Sequence, residues 1–106
     1  MDSGNIFYDV GTRWEFTPST AIPRNQWFHI AFLYKKGSLR QVYLNGILVG
    51  STTNAPAPTA TSTDHSFIGA SQTSSTALGG NYFNGWMNDV RIYDHCLSAA
   101  EVKEIA

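Results

Sequence analysis

Hydrophobic residues are concentrated in three stretches near the middle of the chain. Residues 27–34 (WFHIAFLY) and 39–44 (LRQVYL) are rich in aromatic and aliphatic residues that favour β-structure, and residues 47–51 follow directly after Asn45 and Gly46. Asn-Gly favours a two-residue hairpin turn, because a type I′ turn needs positive φ at both central positions. The pattern predicts a three-stranded antiparallel meander.

Both faces of this meander are predicted to be apolar. We expect Tyr34 to pair with Leu39, Ile30 with Tyr43, and Val42 with Val49. A sheet with one solvent-facing side alternates apolar and polar residues, so this sheet needs cover on both sides. The predicted faces are Trp27, His29, Ala31, Leu33, Val42, Leu44, Ile47 and Val49 on one side, and Phe28, Ile30, Phe32, Tyr34, Leu39, Tyr43 and Leu48 on the other.

Weaker patterns flank the meander. Ser98 and Glu101 form a capping box before Val102 and Ile105, which predicts one short C-terminal helix. Polar, Ser/Thr-rich residues 51–64 and 71–81 are predicted to be solvated loops. The remaining segments predicted as strands are 5–10, 12–17, 65–70 and 82–93. The chain is therefore mostly β, with one closing helix.

Composition excludes several classes of protein. The 106 residues fit a single domain, and a net charge of −1 with only 14 % charged residues gives no basic surface for nucleic acid. An aromatic content of 13 % argues against intrinsic disorder. No run of 18 apolar residues predicts membrane insertion, and no signal-peptide pattern opens the chain. The single cysteine, Cys96, leaves the redox compartment open.

Four stretches in a fixed order resemble a known family. They are Trp27–Phe32 (WFHIAF), Tyr43–Gly46 (YLNG), Phe67–Ala70 (FIGA), and Phe83–Asp94 (FNGWMNDVRIYD) running into Leu97–Val102 (LSAAEV). This order resembles the laminin-G-like, concanavalin-A-like lectin/glucanase superfamily, and within it the bacterial and phage branch.

The resemblance implies a fold and an organisation. The expected fold is all-β: an antiparallel jelly-roll β-sandwich of two sheets, with one short C-terminal helix. Such modules carry several more strands before the Trp27 strand. Residues 1–106 are therefore interpreted as a single laminin-G-like domain that is the C-terminal part of a longer module. We expect the missing cover to come from an upstream segment of the same protein or from a second copy in a homodimer.

Aromatic and amide side chains are the candidates for binding carbohydrate. Tyr82, Trp86 and Asn84, together with Trp14, offer rings for stacking on a sugar and an amide for its hydroxyl groups. The alternative is that each ring belongs to the core or rim of a sandwich.

Calcium is the one cofactor that the sequence suggests. Asn88 and Asp89 occupy the acidic pair of the family's final strand, and Asp64 could add a loop oxygen. The alternative is an internal ion pair between Asp89 and Arg91. Zinc is not favoured, because His29, His65 and Cys96 show no paired spacing.

The sequence argues against catalysis. Glycosidases need a pair of carboxylates about 5–5.5 Å apart or wider, and no strand here carries a suitable Glu/Asp pair. Our first hypothesis is a non-catalytic, lectin-like carbohydrate-binding or adhesion module of a secreted, cell-surface or phage protein, with a glycan or surface polysaccharide as its partner. The alternative hypothesis is a structural interaction module that packs with sister domains or with itself.

Overall fold

The computed structural model describes residues 4–10, 12–58, 68–69, 71–74, 77–80 and 82–106. The chain divides into two compact units: the first comprises Met1–Pro58 and Tyr93–Ala106, and the second comprises Thr59–Ile92. The elements are β1 (Ile6–Phe7), β2 (Glu15–Phe16), β3 (Ile30–Lys35), β4 (Leu39–Leu44), β5 (Ile47–Thr52), β6 (Ser71–Ser74), β7 (Ala77–Gly80) and α1 (Ala99–Ile105).

The first unit is built around the predicted meander. Its three strands pair in the order β3-β4-β5, and all are antiparallel. Asn45 and Gly46 both have positive φ (50° and 80°) between β4 and β5, as the Asn-Gly signal predicts. Leu44 pairs with Ile47 across that turn, which confirms the expected register at this end.

The register of the first hairpin differs by one residue from the prediction. Lys35, not Tyr34, pairs with Leu39, and Ile30 pairs with Leu44 rather than Tyr43. The turn between β3 and β4 has three residues, with Gly37 at φ 73°. Because side chains alternate along a strand, this shift exchanges the faces of β3. Ile30 and Phe32 thus share a face with Val42 and Leu44.

A second correction concerns β5. A register shift between Val42 and Tyr43 places Gly50, not Val49, opposite Val42. A β-bulge of this kind adds one residue to one strand and bends it. Gly50 is also the point where the Phe16 ring lies against the strand, and a Cβ atom at this position would overlap that ring. Glycine is required here by the close approach of an aromatic side chain.

The N-terminal hairpin covers one face of the meander. Strands β1 and β2 pair antiparallel, and the Tyr8 N–H donates to the Trp14 carbonyl at 2.8 Å, continuing the pairing toward the turn. Each of the predicted segments 5–10 and 12–17 therefore contains a strand, although the strands are shorter than predicted and their pairing was not predicted. The core on this face consists of Ile6, Val42, Leu44 and Val49, with Tyr8, Trp14, Phe16, Ile22, Phe28 and Ile30 packed against it.

The C-terminal helix covers the opposite face. Val102 is fully buried and packs with Leu33 and Tyr43 in a second core cluster. The capping box is present: Ser98 Oγ accepts from the Glu101 N–H at 3.2 Å, and Glu101 Oε1 accepts from the Ser98 N–H at 2.9 Å. The meander therefore has cover on both sides, as the two apolar faces required.

One buried cation joins the hairpin to the meander. Arg40, on β4, is fully buried, and its guanidinium donates to three backbone carbonyls: Asn54 at 2.7 Å, Thr12 at 2.8 Å and Tyr8 at 2.9 Å. These acceptors replace the water that a guanidinium loses on burial. No role for Arg40 was predicted, although the sequence carries a signal for one: a cation between apolar residues of a predicted buried strand.

The second unit differs from its sequence prediction. Strands β6 and β7 form an antiparallel hairpin within residues 71–81, which polarity alone assigned to a loop. Residues 82–93, predicted as the long final strand, contain no strand in the structure. The predicted strand at 65–70 lies mostly outside the described residues. Antiparallel pairing throughout and a single short helix among the described elements confirm an all-β, sandwich-like fold.

Candidate functional site

The candidate site is the segment 82–92 of the second unit, which has no regular secondary structure and which we call the aromatic segment. It is held locally by a hydrogen bond of 2.6 Å from the Phe83 N–H to the Gly69 carbonyl. The Phe83 ring folds over Gly85, where a Cβ atom would approach that ring to 2.9 Å. Glycine therefore lets the backbone pass beneath the ring just before Trp86.

Three of the four predicted carbohydrate-binding residues lie in this segment, and all three are exposed. Trp86 exposes 85 % of its surface and Tyr82 exposes 70 %, and Asn84 between them is also exposed. Single exposed apolar side chains are common, whereas a large contiguous apolar patch usually marks an interaction site. The two rings and the amide lie within five residues of sequence and supply apolar rings for stacking and hydrogen-bonding groups.

The fourth candidate, Trp14, has a different environment. It lies in the first unit, is partly buried, and packs against the core that contains Val42. Its ring stacks on Phe16 with centroids 4.3 Å apart and an interplanar angle of 22°, and the Arg40 guanidinium lies 5.5 Å from its centroid. Nearby, burial raises the pKa of the Tyr8 phenol. Trp14 thus makes the contacts of a core ring.

The candidate calcium residues show one firm contact. Both carboxylate oxygens of Asp89 accept from Arg91, at 2.8 Å from Nε and 2.9 Å from Nη2, so the internal ion pair considered as the alternative is present. Asn88 is exposed, and Asp64 lies outside the described residues. Ca²⁺ takes six to eight oxygen ligands. Asp89 as a calcium ligand stays a prediction.

Other titratable groups occur where the chain enters the helix. Asp94 Oδ1 lies 3.0 Å from His95 Nδ1, and this hydrogen bond holds the pKa of the exposed Asp94 carboxyl below its usual value. Cys96 packs near Val102 and Leu33, with its Sγ 3.9 Å from the Leu97 carbonyl. Within the described ranges, no group of three or more His, Cys, Asp or Glu side chains could hold a metal ion.

Comparison with known proteins identifies the family. A family model described as the concanavalin A-like lectin/glucanases superfamily, of the laminin G type, matches residues 2–103. The chain belongs to this superfamily. The family resemblance inferred from the four sequence stretches is confirmed, and so is the all-β fold class. A search of curated proteins found no significant match.

One solved structure is similar over most of the chain. It is an S-layer domain-containing protein from Clostridium thermocellum, crystallised as residues 221–444. The sequences are 26 % identical, and the superposition has a TM-score of 0.70 over 89 % of this chain. The chain spans 45 % of the length of that protein's crystallised region. In the described residues, no helix is long and apolar enough to cross a membrane.

Proposed function

We propose that the chain is a non-catalytic, lectin-like carbohydrate-binding or adhesion module of a secreted, cell-surface or virion protein. One observation carries the proposal: the aromatic segment exposes Tyr82 and Trp86 with Asn84 between them. Membership of a superfamily that includes lectins supports it, as does the similarity to an S-layer domain-containing protein. The glycan or surface polysaccharide partner is part of the proposal.

The chemistry of the segment suits sugar binding. A pyranose ring presents an apolar face of C–H groups that can stack on an indole, and hydroxyl groups that an amide can bind. Trp86 supplies the larger ring, and Asn84 supplies both a donor and an acceptor. A shallow site of this kind orients a sugar without reacting with it, which fits a binding module better than a hydrolase.

A glycan array with matched variants tests this proposal. We expect the wild-type chain to bind a subset of glycans, and Trp86→Ala to reduce that binding by up to about tenfold, since a stacked ring contributes roughly 0.5–1.5 kcal/mol. Trp27→Ala is the control, because Trp27 is also exposed (68 %) but lies in the first unit. Equal loss in both variants, or no binding by the wild type, would contradict the proposal.

Calcium binding at Asp89 remains a secondary proposal. Ca²⁺ would have to replace Arg91 as the partner of the carboxylate, so we expect any effect to be modest. A ligand that binds only the folded chain raises the melting temperature. We therefore expect a small rise with CaCl₂ over EDTA that is absent in Asp89→Asn. Identical melting in calcium and chelator would exclude the site.

The second candidate function is a structural interaction module that packs with sister domains or with itself. The observation that favours it is apolar surface beyond the candidate sugar contacts, since Val90 and Ile92 are exposed by 57 % and 91 %. An array without hits, together with self-association in solution, would favour this function over carbohydrate binding.

A further inference from the structure

The outer edge of β3 is the feature from which we infer a partner. β3 pairs with β4 on one side, and no other described strand pairs with its remaining side. The bond from the Asn45 N–H to the His29 carbonyl continues the β3–β4 register. Because backbone groups alternate in direction along an antiparallel strand, Ala31, Leu33 and Lys35 then bond to β4. The backbone groups of Ile30, Phe32 and Tyr34 point outward.

The central part of this edge lacks the features that normally prevent association, and the one charged residue of β3, Lys35, lies at the end of the strand. Exposed edges are usually protected by charged residues, proline or a bulge. Residues 30–34 (IAFLY) contain no charge and no proline, and the β3–β4 ladder is regular. Phe32 lies in the middle of the edge with half of its surface exposed, although its ring makes a T-shaped contact with Tyr8 at 5.2 Å.

The edge is also complementary to itself. In an antiparallel pair centred on Phe32, the outward groups of Phe32 meet those of the partner's Phe32, and those of Ile30 meet those of the partner's Tyr34. Each outward N–H and C=O thereby gains a bond across a two-fold axis. The two Phe32 rings become cross-strand neighbours, and such aromatic pairs stabilise a sheet. The net charge of −1 gives little repulsion between copies.

We propose that two copies of the chain associate through β3, forming a continuous six-stranded antiparallel sheet with Phe32 at the two-fold axis. The homodimer expected from the sequence was to cover a face of the meander, whereas this one forms at a strand edge, because the N-terminal hairpin and the helix already cover the faces. It does not depend on carbohydrate binding. A single strand pair buries less surface than a standard protein interface, so the association is weak and reversible.

Amide hydrogen exchange of the wild-type chain tests the proposal directly. From low micromolar to near-millimolar protein, we expect the exchange of the Ile30, Phe32 and Tyr34 amides to slow at least about tenfold. The amides of Ala31, Leu33 and Lys35 should be protected at every concentration by their bonds to β4. Rapid exchange of the first set at all concentrations would overturn the proposal, as would equal protection of that set in a verified monomer.

Sedimentation analysis of two matched variants provides the second test. Phe32→Lys places a charge at the centre of the edge and should weaken dimerisation at least about tenfold. Ile47→Lys makes the same kind of change at an exposed position on β5, the other outer strand of the sheet, and should leave dimerisation unchanged. Thermal melts confirm that both variants are folded. A dimer that resists Phe32→Lys, or that Ile47→Lys disrupts, would contradict an interface on β3.

Discussion

The meander and the aromatic segment have similarly apolar sequences but different surroundings. Val42, Leu44 and Tyr43 are buried, because the N-terminal hairpin covers one face of the sheet and the helix covers the other. Trp86 and Ile92 are exposed, and residues 82–92 form no strand. The difference shows that an apolar, β-favouring sequence becomes a strand only where another element pairs with it. Without that pairing, the same residue types are exposed.

The largest effect is expected from Arg40, which ties the meander to its cover. Arg40→Leu would remove a fully buried guanidinium and leave the carbonyls of Tyr8, Thr12 and Asn54 without its hydrogen bonds. We expect a loss of about 3–5 kcal/mol in the free energy of unfolding. Urea denaturation measures it. Arg24→Leu removes an exposed arginine and should change stability little. Similar losses in the two variants would show that the buried hydrogen bonds of Arg40 add no more to the free energy of unfolding than an exposed arginine does.

A matched pair of valines tests the difference in packing between the meander and the aromatic segment. Val42→Ala removes two methyl groups from a fully buried position, and Val90→Ala makes the same change in the aromatic segment. We expect a loss of about 1.5–3 kcal/mol for Val42→Ala and less than about 0.5 kcal/mol for Val90→Ala. Chemical denaturation of both variants gives the difference. Equal losses would mean that the segment is packed in solution as firmly as the meander.

The smallest effect is expected at the helix that covers the second face. Ser98→Ala removes the N-cap and should cost about 1 kcal/mol. The Ser98 N–H holds the pKa of the Glu101 carboxyl below its ordinary value of 4.5. Because the pKa of Glu101 is lower in the folded chain than in the unfolded chain, its carboxylate stabilises the fold at a pH above the unfolded-state pKa. This contribution is lost as the pH falls through the folded-state pKa.

The stability difference between the wild type and Glu101→Gln should therefore be constant near neutral pH and shrink below about pH 4. Melting temperatures from neutral to acidic pH measure this difference. Lys103→Gln is the control, because that amine does not titrate in this range. A difference that grows at acidic pH would contradict the role assigned to Glu101.

Local signals predicted the fold best where a single turn or cap determines the geometry. Asn45-Gly46 fixed one hairpin, and Ser98 with Glu101 defined the start of the helix. The register of the first hairpin was predicted wrongly, because nothing in Lys35–Ser38 distinguishes a three-residue from a four-residue turn. A register shift of one residue exchanges the two faces of β3. The bulge at Val42 and the contact of Phe16 with Gly50 depend on packing between distant segments, which residue patterns do not encode.

The residues of the candidate site were named from the sequence, but the sequence did not show which of them are exposed. Trp14 and Trp86 are equivalent in composition, yet Trp14 stacks on Phe16 while Trp86 lies exposed. Which aromatic residue is covered depends on long-range packing. The role of Arg40 has the same origin, since its three acceptors come from two distant loops. The strand pattern around Arg40 signals a buried cation but does not show which carbonyls it binds.

The three tryptophans allow the most direct test of the proposed function. Trp14, Trp27 and Trp86 each give one indole N–H signal in an NMR spectrum, assigned with single Trp→Phe variants. On titration with the glycan that binds best on the array, we predict that the Trp86 signal shifts and that the Trp14 and Trp27 signals stay in place. A shift confined to Trp14 or Trp27, with Trp86 unmoved, would contradict carbohydrate binding at the aromatic segment.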